Sequence, residues 1–465
     1  MRKNSKRQKL QGKFLNQINI KYKKPLKGEI TPPPDKSISH RAVIISSLAE
    51  GKSIIRNFLY AEDPLRTVNA FREMGIEIEE KTQSIENKSP HYPPLLKGGE
   101  GGLTQNAELI IHGKGLNELK EPKDTIDCGN SGTTMRLLCG VLAGQLFSST
   151  LKGDASLSRR PMQRVITPLT EMGAVIKSEK GGYPPLDITG GKLKPIQFQS
   201  PVASAQVKSA VLFAGLYCDG IISISEPEKS RDHTERMLKA AGVNIEIKDL
   251  KVSVTGKSKL KPLETTIPGD FSSAAFFIVA GAIARDSEIL IKNAGINPTR
   301  TGLLEILEMM GADITLENKR DESGEPVCDI FVRQSPLNAV TVSGKMVTRA
   351  IDEFPILCIA ASVAKGTTKI TGAKELRVKE SDRIASMTKE LRKMGIEIEE
   401  FEDGVIIEGR ERLKAATVQS YGDHRVAMSM AIAGLVADGE TIVQDTDCVN
   451  TSFPGFVEML AKLMG

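Results

Sequence analysis

Five stretches decide the fold: Arg72-Glu-Met-Gly-Ile-Glu-Ile78, Glu171-Met-Gly-Ala-Val-Ile176, Ala240-Ala-Gly-Val-Asn-Ile-Glu-Ile247, Met309-Met-Gly-Ala-Asp-Ile314 and Lys393-Met-Gly-Ile-Glu-Ile398. Each reads as the end of a helix, a glycine, and then alternating apolar residues. A sixth copy is Leu463-Met-Gly465. Gly173 to Gly242 is 69 positions, Gly242 to Gly311 is 69, and Gly395 to Gly465 is 70. Self-similarity at a fixed period marks one structural unit repeated along a chain.

A second echo lies inside each period. Small-residue apolar runs at Ile38–Ala49, Thr133–Ala143, Ala205–Leu216, Ser272–Ala284, Phe354–Ala364 and Arg425–Ala437 have helical character. Most are followed by β-branched segments such as Ser53–Phe58, Ile221–Ile224, Glu288–Ile291, Thr368–Thr371 and Thr441–Gln444, which read as strands. Six alternating helix–strand units imply α/β layering, and the count divides naturally into two lobes of three.

Two spacings break the period. The 98 positions from Gly75 to Gly173 contain Asn87–Gln105, whose dense Pro and Gly mark a low-complexity surface insert without a chemical role. The 84 positions from Gly311 to Gly395 point to a smaller loop at Lys319–Pro326.

The chain has 465 residues, 40% hydrophobic and 26% charged, and no Trp. That is the composition of a globular protein, and no apolar run reaches the ~20 residues of a membrane span. The formal charge of +5 hides an asymmetry: residues 1–27 carry ten Lys or Arg and no acid, leaving about −5 for the rest. This segment is expected to be a disordered, solvated extension rather than a nucleic-acid-binding arm. The six cysteines show no Cys-x-x-Cys spacing, so they read as thiols of a reducing compartment, with no structural zinc.

Polar residues cluster where the apolar helices begin: Asp35-Lys-Ser-Ile-Ser-His-Arg41, Asp127-Cys-Gly-Asn-Ser-Gly-Thr-Thr-Met-Arg136, Ala203-Ser-Ala-Gln-Val-Lys208, Pro268-Gly-Asp-Phe-Ser-Ser273, Asp352-Glu-Phe-Pro355 and Gly422-Asp-His-Arg425. Helix starts attract anions. Ser, Asp and Asn there are also ordinary caps. Capping does not explain Lys36, Arg41, Arg136, Lys208 and Arg425 in the same segments, because the helix dipole disfavours a cation there. Arg159 and Arg160, Arg231, Arg377, Lys379 and Arg383 add further positive charge from the connections. A cleft binding several phosphates or carboxylates accounts for this pattern. There is no Walker-type phosphate loop.

The segments Asp35–Arg41, Gly129–Arg136, Arg377–Arg383 and Gly422–Arg425, in this order, resemble the 5-enolpyruvylshikimate-3-phosphate (EPSP) synthase family. The likeness runs from about Ile30 to Gly465, outside the insert. It implies a two-lobed α/β fold, an inside-out barrel of six βαβαββ repeats, three per lobe. One lobe would comprise 28–35 with 261–465 and the other 36–260. It also implies transfer of the enolpyruvyl group of phosphoenolpyruvate to the 5-hydroxyl of shikimate 3-phosphate by addition and elimination, on the route to chorismate and the aromatic amino acids. No metal or organic cofactor is implied, and a cytoplasmic monomer without nucleic-acid or membrane partners is expected.

By the same resemblance, shikimate 3-phosphate would meet Lys36, Ser37, Arg41, Ser204, Gln206, Arg231, Asp352 and Lys379, with Ser204 and Arg231 on its phosphate. Phosphoenolpyruvate would meet Lys36, Gly132, Arg160, Gln206, Arg383 and Arg425. Asp352, Glu380, Lys36 and Lys379 would be catalytic, Asp352 toward the hydroxyl and Glu380 toward the methylene carbon. A glycine at position 132 goes, in that family, with sensitivity to glyphosate, so inhibition is expected. The sequence departs from some relatives at Asn450-Thr-Ser-Phe-Pro454, where they carry a lysine before Phe-Pro, and at Glu375, where they carry an amide. The sister family acting on UDP-N-acetylglucosamine is the alternative, but none of the cysteines here lies in a loop like that family's reactive one.

Overall fold

The computed structural model describes residues 16–22, 24–82 and 107–465. The insert at Asn87–Gln105 and the first fifteen residues lie outside these. Each Met-Gly or Ala-Gly motif ends a helix by the same chemistry. After helix Glu62–Glu73, Gly75 takes φ 85°, which places the Gly75 N–H on Arg72 O at 2.9 Å and the Ile76 N–H on Phe71 O at 3.0 Å. This pair of bonds satisfies the last carbonyls of the helix and turns the chain into the next strand. Gly173, Gly242, Gly311 and Gly395 repeat the left-handed conformation. The sequence period is a period of helix stops.

Five four-stranded sheets share one plan, with one parallel pair and two antiparallel pairs. In the sixth unit Thr417–Gln419 runs parallel to Thr441–Gln444, and Gln17–Ile20 pairs antiparallel with that same strand. The segment expected to be a disordered tail thus contributes a strand to the last repeat. Ile18, Ile20 and Leu26 are buried. The extension expected over 1–27 therefore gives way to ordered chain before Ile18, because these three apolar side chains have a core to enter. The loop expected at Lys319–Pro326 is a long hairpin, Asp313–Glu322 with Glu325–Arg333, turning at Ser323 and Gly324.

Buried apolar residues form two separate cores. One runs from Ile38 to Ile267, and the other joins Ile18–Ile30 to Phe271–Leu463. The expected boundary at 260/261 moves to the far side of Ile267, because Glu264–Thr266 pairs with Glu50–Phe58 in the first of these lobes. The two crossovers run side by side. Asp35 N donates to Pro268 O at 2.8 Å and Asp270 N to Pro33 O at 2.8 Å. The six apolar helices are buried almost all round and pack on one another inside their lobes. Gly140 allows the tightest of these contacts, since a Cβ there would sit 2.2 Å from Ala210 O. No helix among the described residues is long and apolar enough to cross a membrane.

Candidate active site

Five of the six apolar helices are capped by a side chain at their start. Asp35 accepts from Ile38 N at 2.8 Å, Ser131 from Thr134 N at 3.2 Å, Ser204 from Val207 N at 3.4 Å, Asp270 from Ser272 N at 2.8 Å and Asp423 from Arg425 N at 2.9 Å. Capping and ligand geometry are the same device here: fixing the first turn also fixes the bases that follow it. Helix Lys36–Leu48 puts Ser37 and Arg41 four residues apart on one face, where the Ser37 carbonyl accepts from Arg41 Nη1 at 2.9 Å. Arg41 also donates to Thr234 Oγ1 at 2.6 Å and Ser209 Oγ at 2.8 Å. Burial pulls its guanidinium down to about 10.

The densest cluster lies where the lobes meet. Asp352 ion-pairs with Arg231 of the other lobe. Arg383 Nη1 lies 3.5 Å from Asp352 Oδ1, and Arg425 Nη2 lies 3.6 Å from Asp352 Oδ2. Arg425 Nη1 also donates to the Asp352 carbonyl at 2.9 Å. Burial works to raise the Asp352 acid, but Arg231, Arg425, Lys379 and Arg383 together hold it well below the ordinary carboxylate range. Glu380 accepts from Arg383 Nη2 at 2.6 Å. Burial would raise this carboxyl too, and Arg383, then Arg160 and Lys36, overcome that and hold it low. Both carboxylates are therefore ionised at neutral pH.

Asp423 does two jobs. Its Oδ1 caps helix His424–Ala433, while its Oδ2 accepts from Arg383 Nε at 2.8 Å and Ser381 Oγ at 3.1 Å. The fully buried Arg383 is thus held between Asp423 and Glu380, with Asp352 at longer range. On the facing lobe, Gly132 opens helix Gly132–Ala143, and a Cβ there would lie 2.9 Å from Arg136 Nη1 and 3.6 Å from Arg160 Nη1. Burial, then the charges of Arg160 and Arg164, pull Arg136 down to about 10. Arg136 Nη1 donates to Gln206 Oε1 at 2.8 Å, and Gln206 Nε2 donates to Thr133 Oγ1 at 3.0 Å. Arg160 Nη2 donates to Asn130 Oδ1 at 2.6 Å. Half-buried arginines that repel one another make a ready seat for an anion.

Lys36 bridges the lobes from the same side. Its Nζ lies 3.1 Å from Asp63 Oδ2 and 3.2 Å from Ser452 Oγ. Ser452 belongs to the segment where some relatives carry lysine. In this chain the segment supplies Lys36 with a hydroxyl oxygen instead of a second cation. Lys379 Nζ lies 2.9 Å from Glu375 Oε1, so Glu375 serves to partner a cation.

The expected residues converge, with one exception among the bases at the helix starts. Lys208 turns away into a buried ion pair with Glu226 and Glu235. Sequence reasoning marked Arg136 only as one of the anion-attracting bases at the helix starts, and gave no role to Asp63, Asp423 or Ser452. Asp423 could have been found, since it sits between Gly422 and Arg425 in a quoted motif. Asp63 lies in none of the repeat or helix-start motifs, so no pattern marked it. Arg300, which reaches Asp35, Asp270 and Ser272 Oγ (2.6 Å) between the crossovers, was equally invisible.

Comparison with known proteins shows the family and the fold. The model of the EPSP synthase (3-phosphoshikimate 1-carboxyvinyltransferase) family matches residues 20–100 and 98–460. The 3-phosphoshikimate 1-carboxyvinyltransferase of Thermodesulfovibrio yellowstonii is 52% identical over 452 residues, 97% of this chain and 100% of that protein. That of Desulforamulus reducens is 50% identical over 442 residues, 95% and 98%. The structure of EPSP synthase from Acinetobacter baumannii superposes with a TM-score of 0.83 at 45% identity, covering 97% of this chain and 98% of that one. The match spans nearly the whole chain, which belongs to the EPSP synthase family.

Proposed function

We propose a division of labour for the reaction that this family's name describes. The chain is a 3-phosphoshikimate 1-carboxyvinyltransferase: it moves the enolpyruvyl group of phosphoenolpyruvate to the 5-hydroxyl of shikimate 3-phosphate and releases phosphate. The observation that carries the residue assignment is the set of guanidinium groups around Asp352, drawn from both lobes. Such groups bind carboxylate and phosphate by paired hydrogen bonds.

Ser37, Arg41, Ser204, Gln206 and Arg231 hold shikimate 3-phosphate, with Ser204 and Arg231 on its phosphate. Lys36, Gly132, Arg160, Gln206, Arg383 and Arg425 hold phosphoenolpyruvate. Arg136 joins this set through its bond to Gln206 and its place beside Gly132. Asp352, ionised among four cations, takes the proton of the 5-hydroxyl as oxygen attacks C2 of phosphoenolpyruvate. A proton delivered to the methylene carbon completes the addition. Glu380 is the donor, with Lys379 and Lys36 nearby as further carriers. Because Arg383 holds Glu380 ionised in the free protein, its protonated form depends on substrate anions offsetting that field. Elimination of phosphate then returns the proton from carbon.

Buried free thiols at Cys128, Cys139, Cys218, Cys328 and Cys358 support a reducing, cytoplasmic setting, and the chain is read as a monomer. A phosphate-release assay tests the function. Release must require both substrates, and release from phosphoenolpyruvate alone would sink the reading.

A further inference from the structure

We propose that the buried triad of Lys208, Glu226 and Glu235 is the device that positions the shikimate 3-phosphate side of the cleft, with Glu226 as its central residue. This rests on the assignment of Ser204 and Arg231 to that substrate's phosphate. The three side chains are 2%, 3% and 2% exposed, and Lys208 Nζ lies 2.8 Å from both Glu226 Oε2 and Glu235 Oε1. Desolvation makes ions this deeply buried costly unless they are paired with opposite charge, as these are.

Glu226 spends its remaining capacity on the two halves of the phosphate grip. Its Oε1 accepts from Ser204 N at 2.8 Å and from Ser230 Oγ at 2.7 Å, and its Oε2 lies 2.8 Å from Ser230 Oγ. Ser204 caps helix Ala205–Gly215, so its backbone position sets the direction of the first-turn N–H groups. Ser230 precedes Arg231, and its carbonyl accepts from Lys208 Nζ at 3.3 Å. One carboxylate therefore ties the cap and the arginine loop to a single point beneath the pocket.

Lys208 prevents that carboxylate from repelling the phosphate. Burial raises the Glu235 acid, and its Oε2 has no hydrogen-bond partner among the described residues. The next residue back, Thr234, accepts from Arg41 Nε at 2.6 Å, which joins the other arginine of this side to the same helix, His233–Ala240. None of the three triad residues needs to touch the substrate.

The test compares Glu226→Ala and Glu226→Gln with Ser204→Ala and Arg231→Gln, measuring KM for each substrate, kcat, and direct calorimetric binding of shikimate 3-phosphate. Loss of hydrogen bonds to a charged acceptor predicts that Glu226→Ala raises KM for shikimate 3-phosphate about tenfold or more. KM for phosphoenolpyruvate should stay near the wild-type value. Glu226→Gln, whose amide oxygen still accepts from Ser204 N, should recover part of the loss. A purely structural role would lower the folded fraction and move both KM values together or neither, and that result overturns the proposal. Glu226→Gln, nearly isosteric, keeps the test decisive if the alanine variant does not fold. If Ser204→Ala and Arg231→Gln leave shikimate 3-phosphate binding unchanged, the phosphate-pocket assignment itself falls and takes this inference with it.

Discussion

Arg231 and Asp352 form an ion pair that joins the two lobes, so a residue assigned to a substrate phosphate is bound, in the free protein, to the residue assigned as base. Shikimate 3-phosphate would compete for the same guanidinium. On the proposed assignment, binding the phosphate would draw Arg231 off Asp352 and leave the carboxylate with Arg425, Lys379 and Arg383. In the free protein the ion pair is a clasp between the lobes.

Replacing Asp352 removes the base. Asp352→Ala should lower kcat by ~10²–10⁴, the usual cost of losing general-base assistance. The shikimate 3-phosphate concentration giving half-saturation should change far less. Steady-state kinetics decides it: a variant keeping more than about a tenth of wild-type kcat would remove Asp352 from that role.

Arg231→Gln should move the acid limb of the pH profile of kcat/KM, which reports the free protein, where Arg231 sits on Asp352. Arg231 is the largest of the charges that lower the Asp352 acid, so removing it raises that acid. The ionised base is then lost at a higher pH, and the limb shifts toward neutrality. An unshifted limb would mean that another group sets it.

Two buried histidines should make stability fall in mildly acid solution. Burial pulls His40 down to about 3 and His424 down to about 4 from an ordinary value of 6.5. Each is neutral in the fold and takes up a proton more readily when unfolded, so its contribution is complete above about pH 6.5 and is lost as pH falls toward the folded value. The slope is about 1.4 kcal/mol per pH unit for each histidine. Urea unfolding of wild type and His40→Gln near pH 6.5 and pH 5 should show a shallower loss in the variant. Equal losses would refute the assignment.

Gly132→Ala should weaken phosphoenolpyruvate selectively. The added methyl lies 2.9 Å from Arg136 Nη1 and displaces the arginine or the ligand. One methyl in a fitted pocket is worth about 10-fold or more, so KM for phosphoenolpyruvate should rise by about that factor. KM for shikimate 3-phosphate should hold. Glyphosate should inhibit the wild type and inhibit the variant less, and equal sensitivity would place the inhibitor away from Gly132.

Much of the fold was legible because glycine is the cheapest residue for a left-handed helix stop, so Gly75, Gly173, Gly242, Gly311 and Gly395 printed the period directly in the sequence. The helix runs were legible for a related reason: helices buried on every side must be apolar throughout. The strand Gln17–Ile20 was not, because four residues in a lysine-rich segment carry no local signal of the Thr441–Gln444 edge that they complete.

In the site, charge at the helix starts and connections marked Lys36, Arg41, Arg160, Arg383 and Arg425, and the family resemblance added Asp352 and Glu380. They could not show which way a cation points. Lys208 and Arg136 look alike in the sequence, both following a helix start by a few residues. Lys208 ends on Glu226 and Glu235, while Arg136 ends beside Arg160 and Gln206. The difference comes from what the other elements bring to each spot. The sequence alone determined six units, their helix stops and an anion-seeking face, because these depend on neighbours along the chain. Only the tertiary structure decided which charges are paid off inside the protein and which are left for the ligands, because that depends on partners as far apart as Arg231 and Asp352.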